Sequence, residues 1–265
     1  MDHICRESYS EPLGVYETLK ARGMDLITVT DHDSIDAAQE LRRLPEFFLS
    51  EEVTCTMPSG TELHVGVFGI TEADHREIQR RRNDLSSLIA YLNEKNILFS
   101  ANHVFSCLTG RRVEEDFAFI AREFPALEGR NGQLPETCNR SAAELAARWR
   151  KAVVAGSDAH TLESLGRTYT EVPGARTAEE FLDGVRRSAA TAVGDSGNCV
   201  RLSRALLTIV RGMADELPWV RIFAPLLLAI PVITLGNSFA EQMFNRKWSR
   251  QLHGAGEAIA DPIAY

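Results

Sequence analysis

The sequence predicts an α/β fold, because short apolar runs rich in β-branched residues alternate with helical patterns along its first two thirds. A helix is expected in PLGVYETLKARG, residues 12–23, which has Pro near its start and Gly at its end. The run DLITVT, residues 25–30, then predicts a strand, and DHDSIDAAQELRRL predicts a loop that passes into a helix. Parallel strands joined by helices form a doubly wound sheet or a barrel, and both folds place function at the carboxyl ends of the strands.

Further strands and helices continue this alternation until about residue 190. The strands are predicted in EFFLSEEVTC, ELHVGVFGI, NILFSA, ALEGR and AVVAGS, and the helices at roughly 73–94, 113–123, 137–150 and 177–188. The pattern then changes at GDSGNC, which is rich in turn-forming residues. We therefore predict one domain over residues 1–192 and a helical extension over residues 193–265.

The extension is largely apolar and has three open interpretations. Its most apolar core, residues 222–235, is 14 residues long, which is short against the ~20 residues that a membrane-spanning helix needs. A helical appendage packed on the domain or on a partner, an interfacial membrane anchor and a true span are all considered. Arg246, Lys247 and Arg250 follow the apolar stretch, as they would beside a membrane surface or at a solvated helix end.

Composition and charge restrict the class of protein. The chain has 265 residues, of which 44% are hydrophobic and 25% charged, as in ordinary globular proteins. The formal net charge of −8 argues against general affinity for nucleic acid or anionic membranes. Five cysteines without a CxxC pair, and no secretory signal at the start, predict a cytoplasmic protein, with peripheral membrane association left open.

Histidines and acidic residues lie within or directly after several predicted strands. If the strands run parallel, these side chains converge on one rim, where imidazole and carboxylate groups suit Zn, Mn or Fe. Each residue alone has a simpler explanation, since a lone His is more often a loop residue, Asp31 and Asp33 could cap a helix, and Asp158 could cap a turn. The residues concerned are His32, Glu51, Glu52, His64, His103, Asp158 and His160.

These segments resemble the successive motifs of the PHP superfamily, the polymerase and histidinol phosphatase domain. The motifs are GMDLITVTDHDSIDAA, LSEEVTC, ELHVGVF, ANHVF and AGSDAH, which occur in the order typical of the family between about Pro12 and Arg187. The resemblance implies a distorted (β/α)7 barrel of the TIM type, up to three divalent metal ions (Zn, Mn or Fe) and hydrolysis of phosphate esters by a metal-activated water.

The resemblance also assigns roles to individual residues. It implies that the metal ligands are His32, Glu52, His64, His103, Asp158 and His160. The segment LEGRNG is similar to a strand end of the family and puts Glu128 and Asn131 near the rim, while Arg130 or Arg167 could contact the substrate phosphate.

One motif of the family is missing. PHP proteins open with DxHxH, whereas this chain opens MDHICRESYSEP, in which His3 and Cys5 have the spacing of the two histidines. Cys is a legitimate soft ligand, but Cys5 lies closer to Pro12 than the second His usually does. We prefer the interpretation that the HxH strand lies upstream of Met1, so that the first barrel strand is absent from this chain.

We therefore expect a metal-dependent phosphoesterase that acts on small phosphomonoesters, nucleotides or oligonucleotide ends. The alternative is a truncated or degenerate PHP module with little activity, which binds metal and works as a partner-binding or membrane-associated subunit. A polymerase-associated domain is a weaker option, because the chain is too short to carry a polymerase. The sequence does not determine the oligomeric state.

Overall fold

Five strands form one mixed sheet in the computed structural model, which describes residues 8–254. They lie side by side in chain order as β1 (Ser50–Thr56), β2 (Glu62–Phe68), β3 (Leu98–Ala101), β4 (Ala126–Asn131) and β5 (Ala152–Gly156). β3, β4 and β5 are parallel, but β2 is antiparallel to both β1 and β3. The short connection over residues 57–61 explains the reversal, since parallel neighbours need a long crossover.

The predicted strand at residues 25–30 is not a regular strand. This segment joins the outer edge of β1 only through isolated parallel bridges, Ile27 with Phe47 and His32 with Glu52. It nevertheless runs beside β1 in the expected direction, and it delivers His32 to the end of the sheet.

A second, two-stranded sheet lies beyond β5, and the sequence did not predict it. It consists of β6 (Thr168–Glu171) and β7 (Thr191–Gly194), which pair antiparallel. The Thr170 hydroxyl accepts a hydrogen bond from the Ala155 amide and donates one to its carbonyl, so β6 touches the edge of β5 through a side chain. Among the described residues the strands form these two sheets and not a closed ring.

The helices lie where the periodicity predicts them, with one difference. The predicted helix at residues 73–94 is two helices, because Asp84 caps the second one by accepting a hydrogen bond from the Ser87 amide at 3.1 Å. The helices are α1 (Pro12–Ala21), α2 (Asp36–Leu41), α3 (Glu72–Arg81), α4 (Leu85–Glu94), α5 (Glu114–Glu123), α6 (Glu136–Arg148), α7 (Ala178–Arg186), α8 (Cys199–Glu216) and α9 (Ile230–Gly254). A 3-10 helix, Pro218–Ala229, joins α8 to α9.

The main apolar core lies between the sheet and helices α3 to α6, and the end of α9 also enters it. Phe99, Phe117 and Phe124 are almost fully buried in this core. Trp248 of α9 is 3% exposed, and its ring centroid lies 4.9 Å from that of Phe117. The extension is therefore helical as expected, whereas the domain boundary at residue 193 stays a prediction.

Candidate metal centre

Four of the six expected ligands converge at the end of the sheet. One ligand atom from each of His32, Glu52 and His64 lies within 4.8 Å of the other two. His103 joins them, since its Nε2 lies 3.1 Å from Nδ1 of His64 and 3.4 Å from Oε1 of Glu52. Three imidazoles thus surround one carboxylate that is 9% exposed.

The topology explains why these four side chains meet. His32 and Glu52 form an isolated parallel β-bridge, so the two residues lie side by side on neighbouring segments. His64 is the third residue of β2, and because β2 is antiparallel its beginning lies where β3 ends. His103 follows the end of β3, and the peptide N–H of Asn102 donates a hydrogen bond to the His64 carbonyl at 3.0 Å.

A second group of polar side chains adjoins the first. The Asn131 side-chain amide donates to both carboxylate oxygens of Glu128, at 3.1 and 3.2 Å, and to Oδ2 of Asp158 at 3.1 Å. Glu128 also accepts the peptide N–H of His103 at 2.8 Å. A shift of register in β4 between residues 128 and 130 allows Glu128 and Asn131, three residues apart, to point to the same side.

His160 completes the set of expected ligands. Its Nδ1 lies 3.1 Å from the Asp158 carbonyl oxygen and 3.8 Å from Oδ1 of the same residue. All six predicted ligands line one cavity. They are His32, Glu52, His64, His103, Asp158 and His160.

Two of these residues have an unusual backbone conformation. His103 has φ 32° and Asp158 has φ 46°, in the left-handed region that residues with a Cβ seldom adopt. Such conformations cost energy and occur often at functional sites, where the surrounding structure holds them. Here they turn the chain directly after β3 and β5 and aim both side chains at the cluster.

Burial and mutual charge shift the protonation of this group. Burial lowers the pKa of His103, but its hydrogen bond with Glu52 and the charges of Glu52, Glu128 and Asp158 outweigh burial and raise that pKa to about 9. Burial raises the pKa of Glu52, and the same bond together with the histidine charges overcomes this and lowers it to about 2. Burial, followed by the neighbouring carboxylates, raises the pKa of Glu128 to about 7.

The two arginines suggested for substrate binding are engaged away from the cluster. Arg130 pairs with Glu136 at 3.0 Å and donates to the hydroxyl of Ser196. Arg167 donates to the Glu163 carbonyl and lies 3.5 Å from a carboxylate oxygen of Asp195. Their contact with substrate stays a prediction, whereas Asn131, the third suggested residue, lies between Glu128 and Asp158.

Asn102 and Glu128 make more contacts in the site than the sequence alone predicts. Asn102 donates to Oε1 of Glu52 at 2.9 Å and so fixes the carboxylate between the histidines. Glu128 stands at the junction of the two groups rather than merely near the rim. The available signals were an acidic residue inside an otherwise apolar strand and an Asn next to a predicted ligand.

The donor set fits a divalent metal ion. Imidazole nitrogens and carboxylate oxygens are the ligands that Zn, Mn and Fe share. Nδ1 of His103 is buried, and it has no hydrogen-bond partner among the described residues. His3 and Cys5, the other candidates, lie outside the described residues.

Comparisons with known proteins concern the family and the fold of the chain. Residues 136–190 match the model of the family described as PHP-associated. The resemblance to the PHP superfamily is confirmed. A search of curated proteins found no match to this chain.

Several solved structures share the fold. One is a two-domain protein containing a predicted PHP-like metal-dependent phosphoesterase from Bacteroides vulgatus, with TM-score 0.55 and 15% identity over 71% of this chain and 61% of that one. PsfC from Pseudomonas syringae has TM-score 0.56 and 18% identity over 74% of this chain and 88% of its own.

A third similar structure belongs to a longer protein. PfuEndoQ, a lesion-specific endonuclease from Pyrococcus furiosus, has TM-score 0.51 and 19% identity over 69% of this chain and 54% of its own. The chain thus spans 61% of the Bacteroides protein and 54% of the endonuclease. At these identities the likeness concerns the fold alone.

Proposed function

We propose that this protein is a metal-dependent phosphoesterase whose ion is held by His32, Glu52, His64 and His103, with Asp158 and His160 beside them. The observation that carries the proposal is the convergence of three imidazoles on one buried carboxylate. Bound divalent ions would supply Lewis acidity toward a phosphate oxygen and lower the pKa of water. Water provides the attacking oxygen, the bond from phosphorus to the alcohol oxygen breaks, and the alcohol leaves with a proton.

The residues of the chain orient the acidic groups for this reaction. Asn102 holds the Glu52 carboxylate, and Asn131 links Glu128 to Asp158. The peptide N–H of His103 fixes Glu128 in turn. Such outer contacts keep metal-binding side chains in place and raise the affinity for the ion. The substrates proposed from the resemblance are small phosphomonoesters, nucleotides and oligonucleotide ends.

The proposed barrel has one open strand position in the described part of the chain. A cavity of about 1170 Å³ lies between the segment that contains Thr28 and Thr30 and the edge of β5 at Val154. Ala155 on that edge is bonded by the Thr170 side chain in place of a neighbouring backbone. A strand carrying a His-x-His pair in this gap would close the ring and add two imidazoles at the rim.

The test combines elemental analysis with hydrolysis of a chromogenic phosphate ester in the presence of Mn. The purified protein should contain Zn, Mn or Fe, and His32→Ala or Asp158→Ala should lower turnover about 100-fold or more, because each removes a side chain of the proposed metal centre. His75→Ala is the matched control, since His75 contacts Glu51 on the other side of β1. A form with an added N-terminal His-x-His strand should turn over faster.

The possible results separate the enzyme from its alternative. Metal-free protein after gentle purification, or unchanged turnover in both variants, would refute the proposed centre. Bound metal without turnover in either form would favour the non-catalytic module.

We also propose that the apolar segment over residues 218–240 lies in a membrane surface. Ala224–Leu252 is long and apolar enough to cross a bilayer, and only 17% of its most apolar window is buried. The end of the same helix packs in the protein core, which favours insertion at the interface over a full crossing. The large exposed apolar residues of the segment are Trp219, Ile222, Leu226, Leu228, Val232, Ile233, Leu235 and Phe239.

Co-sedimentation with lipid vesicles tests this association. The protein should pellet with vesicles, and replacing Leu228, Val232 and Leu235 together by Gln should release most of it, because three large apolar side chains leave the interface. Leu13→Gln serves as the control, since Leu13 is 54% exposed on α1. Equal pelleting of the triple variant and the parent would contradict the proposal.

A further inference from the structure

The cavity that holds the expected ligands continues onto helix α8. Its volume is about 560 Å³, which is in the range of small-molecule sites. One side is lined by the cluster at His32, Glu52, His64 and His103, and α9 contributes Thr234 and Glu241. Helix α8 lines the cavity with the apolar residues Leu202, Ala205, Leu206, Ile209, Val210 and Met213.

These apolar residues form one continuous face of α8. They recur at intervals of three and four residues, so they follow one side of the helix for about 16 Å, at 1.5 Å per residue from Leu202 to Met213. Ala205 is buried, but the others are only partly buried, although a helix face of this kind usually packs against protein. An elongated apolar surface is therefore accessible from the cavity.

The charge of the cavity restricts its ligand further. Neither Lys nor Arg is present among the described residues that line it. The carboxylate of Glu241 is occupied within the protein, since it accepts hydrogen bonds from the Ser106 hydroxyl at 2.8 Å and the Cys107 amide at 2.9 Å. A polyanionic chain such as an oligonucleotide would find no cation along this wall to offset its phosphates.

We propose that the substrate is a phosphate ester of a long-chain aliphatic alcohol, with its phosphate at the histidine cluster and its alkyl chain along the apolar face of α8. This inference rests on the proposed phosphoesterase function and narrows its substrate class. The helix that forms the wall leads into the exposed apolar segment at residues 218–240, which places the proposed alkyl site and the proposed membrane-facing segment on consecutive elements.

The experiment has a binding arm and a turnover arm. The first measures calorimetrically the affinity of butylphosphonate and decylphosphonate, which resist hydrolysis, below their micelle-forming concentrations. The second measures kcat/KM for butyl phosphate, decyl phosphate and a nucleoside monophosphate. Each methylene buried on apolar surface strengthens binding about fourfold, so we expect the decyl compound to exceed the butyl compound by at least tenfold in both arms.

Variants of α8 locate the site. Ile209→Asn adds a polar group to the wall, and Ala205→Phe fills the cavity, so each should lower the decyl-to-butyl ratio about tenfold. Val200→Asn is the matched control, because Val200 lies on the same helix, is 57% exposed and does not line the cavity. Thermal melting monitored by circular dichroism verifies that each variant folds, and the two variants introduce opposite changes in volume.

The two arms separate this inference from the proposed function. Chain-length-dependent binding that both variants abolish, without turnover of any ester, would support the alkyl site and refute the phosphoesterase. Turnover of all esters at equal kcat/KM with equal binding of the two phosphonates would overturn the alkyl site and leave the phosphoesterase intact. Preference for the nucleotide would likewise overturn it.

Discussion

The proton on His103 determines the pH at which the histidine cluster can take up a metal ion. The pKa of His103 is raised to about 9 by Glu52, Glu128 and Asp158 against the opposing effect of burial, so this imidazole is charged at neutral pH in the metal-free protein. A charged imidazole carries a proton on both ring nitrogens, so neither nitrogen has a free lone pair for a metal ion. Metal must therefore displace one proton from His103.

We expect metal affinity to rise about tenfold per pH unit between pH 7 and pH 9 and to level off above pH 9. The sign follows from the raised pKa, because the competing proton is mostly bound below the pKa of about 9 and mostly lost above it. Titration calorimetry with Mn in two buffers of different ionisation enthalpy measures both the affinity and the protons released. One proton should be released per ion at pH 7.5.

The control is His75→Ala, which removes a histidine outside the cluster and should release the same number of protons. Affinity independent of pH over this interval, without proton release, would show that His103 does not change its protonation when the ion binds.

Much of the cluster could be predicted because its members lie within or directly after successive predicted strands. In the structure Glu52 lies in the cluster and Glu51 does not, since neighbouring residues of a strand face opposite sides and Glu51 bonds His75 and Gln79 of α3. The roles of Asn102 and Glu128 depend on contacts across 50 and 25 residues, which no local pattern reveals.

At the scale of elements, one side chain connects the C-terminal extension to the candidate metal centre. Glu241 of α9 is 1% exposed, and it accepts hydrogen bonds from Ser106 and Cys107 in the loop that follows His103. A buried carboxylate persists only where hydrogen bonds replace the water it has lost. Helix α9 therefore holds the loop that carries His103.

Glu241→Gln should destabilise the protein by about 2 kcal/mol, because the amide replaces one of two accepting oxygens with a donor and breaks a charge-assisted bond. Urea unfolding measures the loss, and hydrogen exchange should become faster at the Cys107 amide. Glu17→Gln, on the exposed side of α1, is the matched control and should change stability by less than about 0.5 kcal/mol. Unchanged exchange at Cys107 would show that Glu241 does not hold the loop.

Helices and strands whose apolar residues recur at regular intervals could be predicted, whereas short strands that depend on pairing with a distant strand could not. The strands β2, β3 and β5 fall within the predicted runs, and β1 and β4 each extend one residue beyond theirs, since the apolar residues of all five are buried on the sheet. The pair β6 and β7 escaped prediction because each strand has four residues and no alternation of buried and exposed positions. The direction of β2 depends on the length of the turn before it rather than on its own composition.

At the scale of the whole molecule, the extension and the α/β part share a core. Trp248 and Leu252 of α9 lie in the same apolar cluster as Phe117, and the Asn245 side chain donates to the Thr137 carbonyl of α6 at 3.1 Å. The sequence pattern changes at residue 190, which indicates a boundary in composition. Composition cannot show that a later helix returns to the core, since that depends on contacts more than 100 residues apart.

Trp248→Ala should therefore destabilise the whole chain by about 3–5 kcal/mol, because it opens a cavity where a large aromatic side chain is buried. Trp219→Ala is the matched control, since Trp219 is 59% exposed, and it should cost less than about 1 kcal/mol. Trp248→Phe should cost less than the alanine variant, because it retains most of the ring and removes an indole nitrogen that has no partner among the described residues. Urea unfolding followed by circular dichroism gives the three values.

One cooperative transition, shifted as a unit in Trp248→Ala, is expected if the extension stabilises the α/β part, whereas a separate early transition would show that the two parts unfold independently.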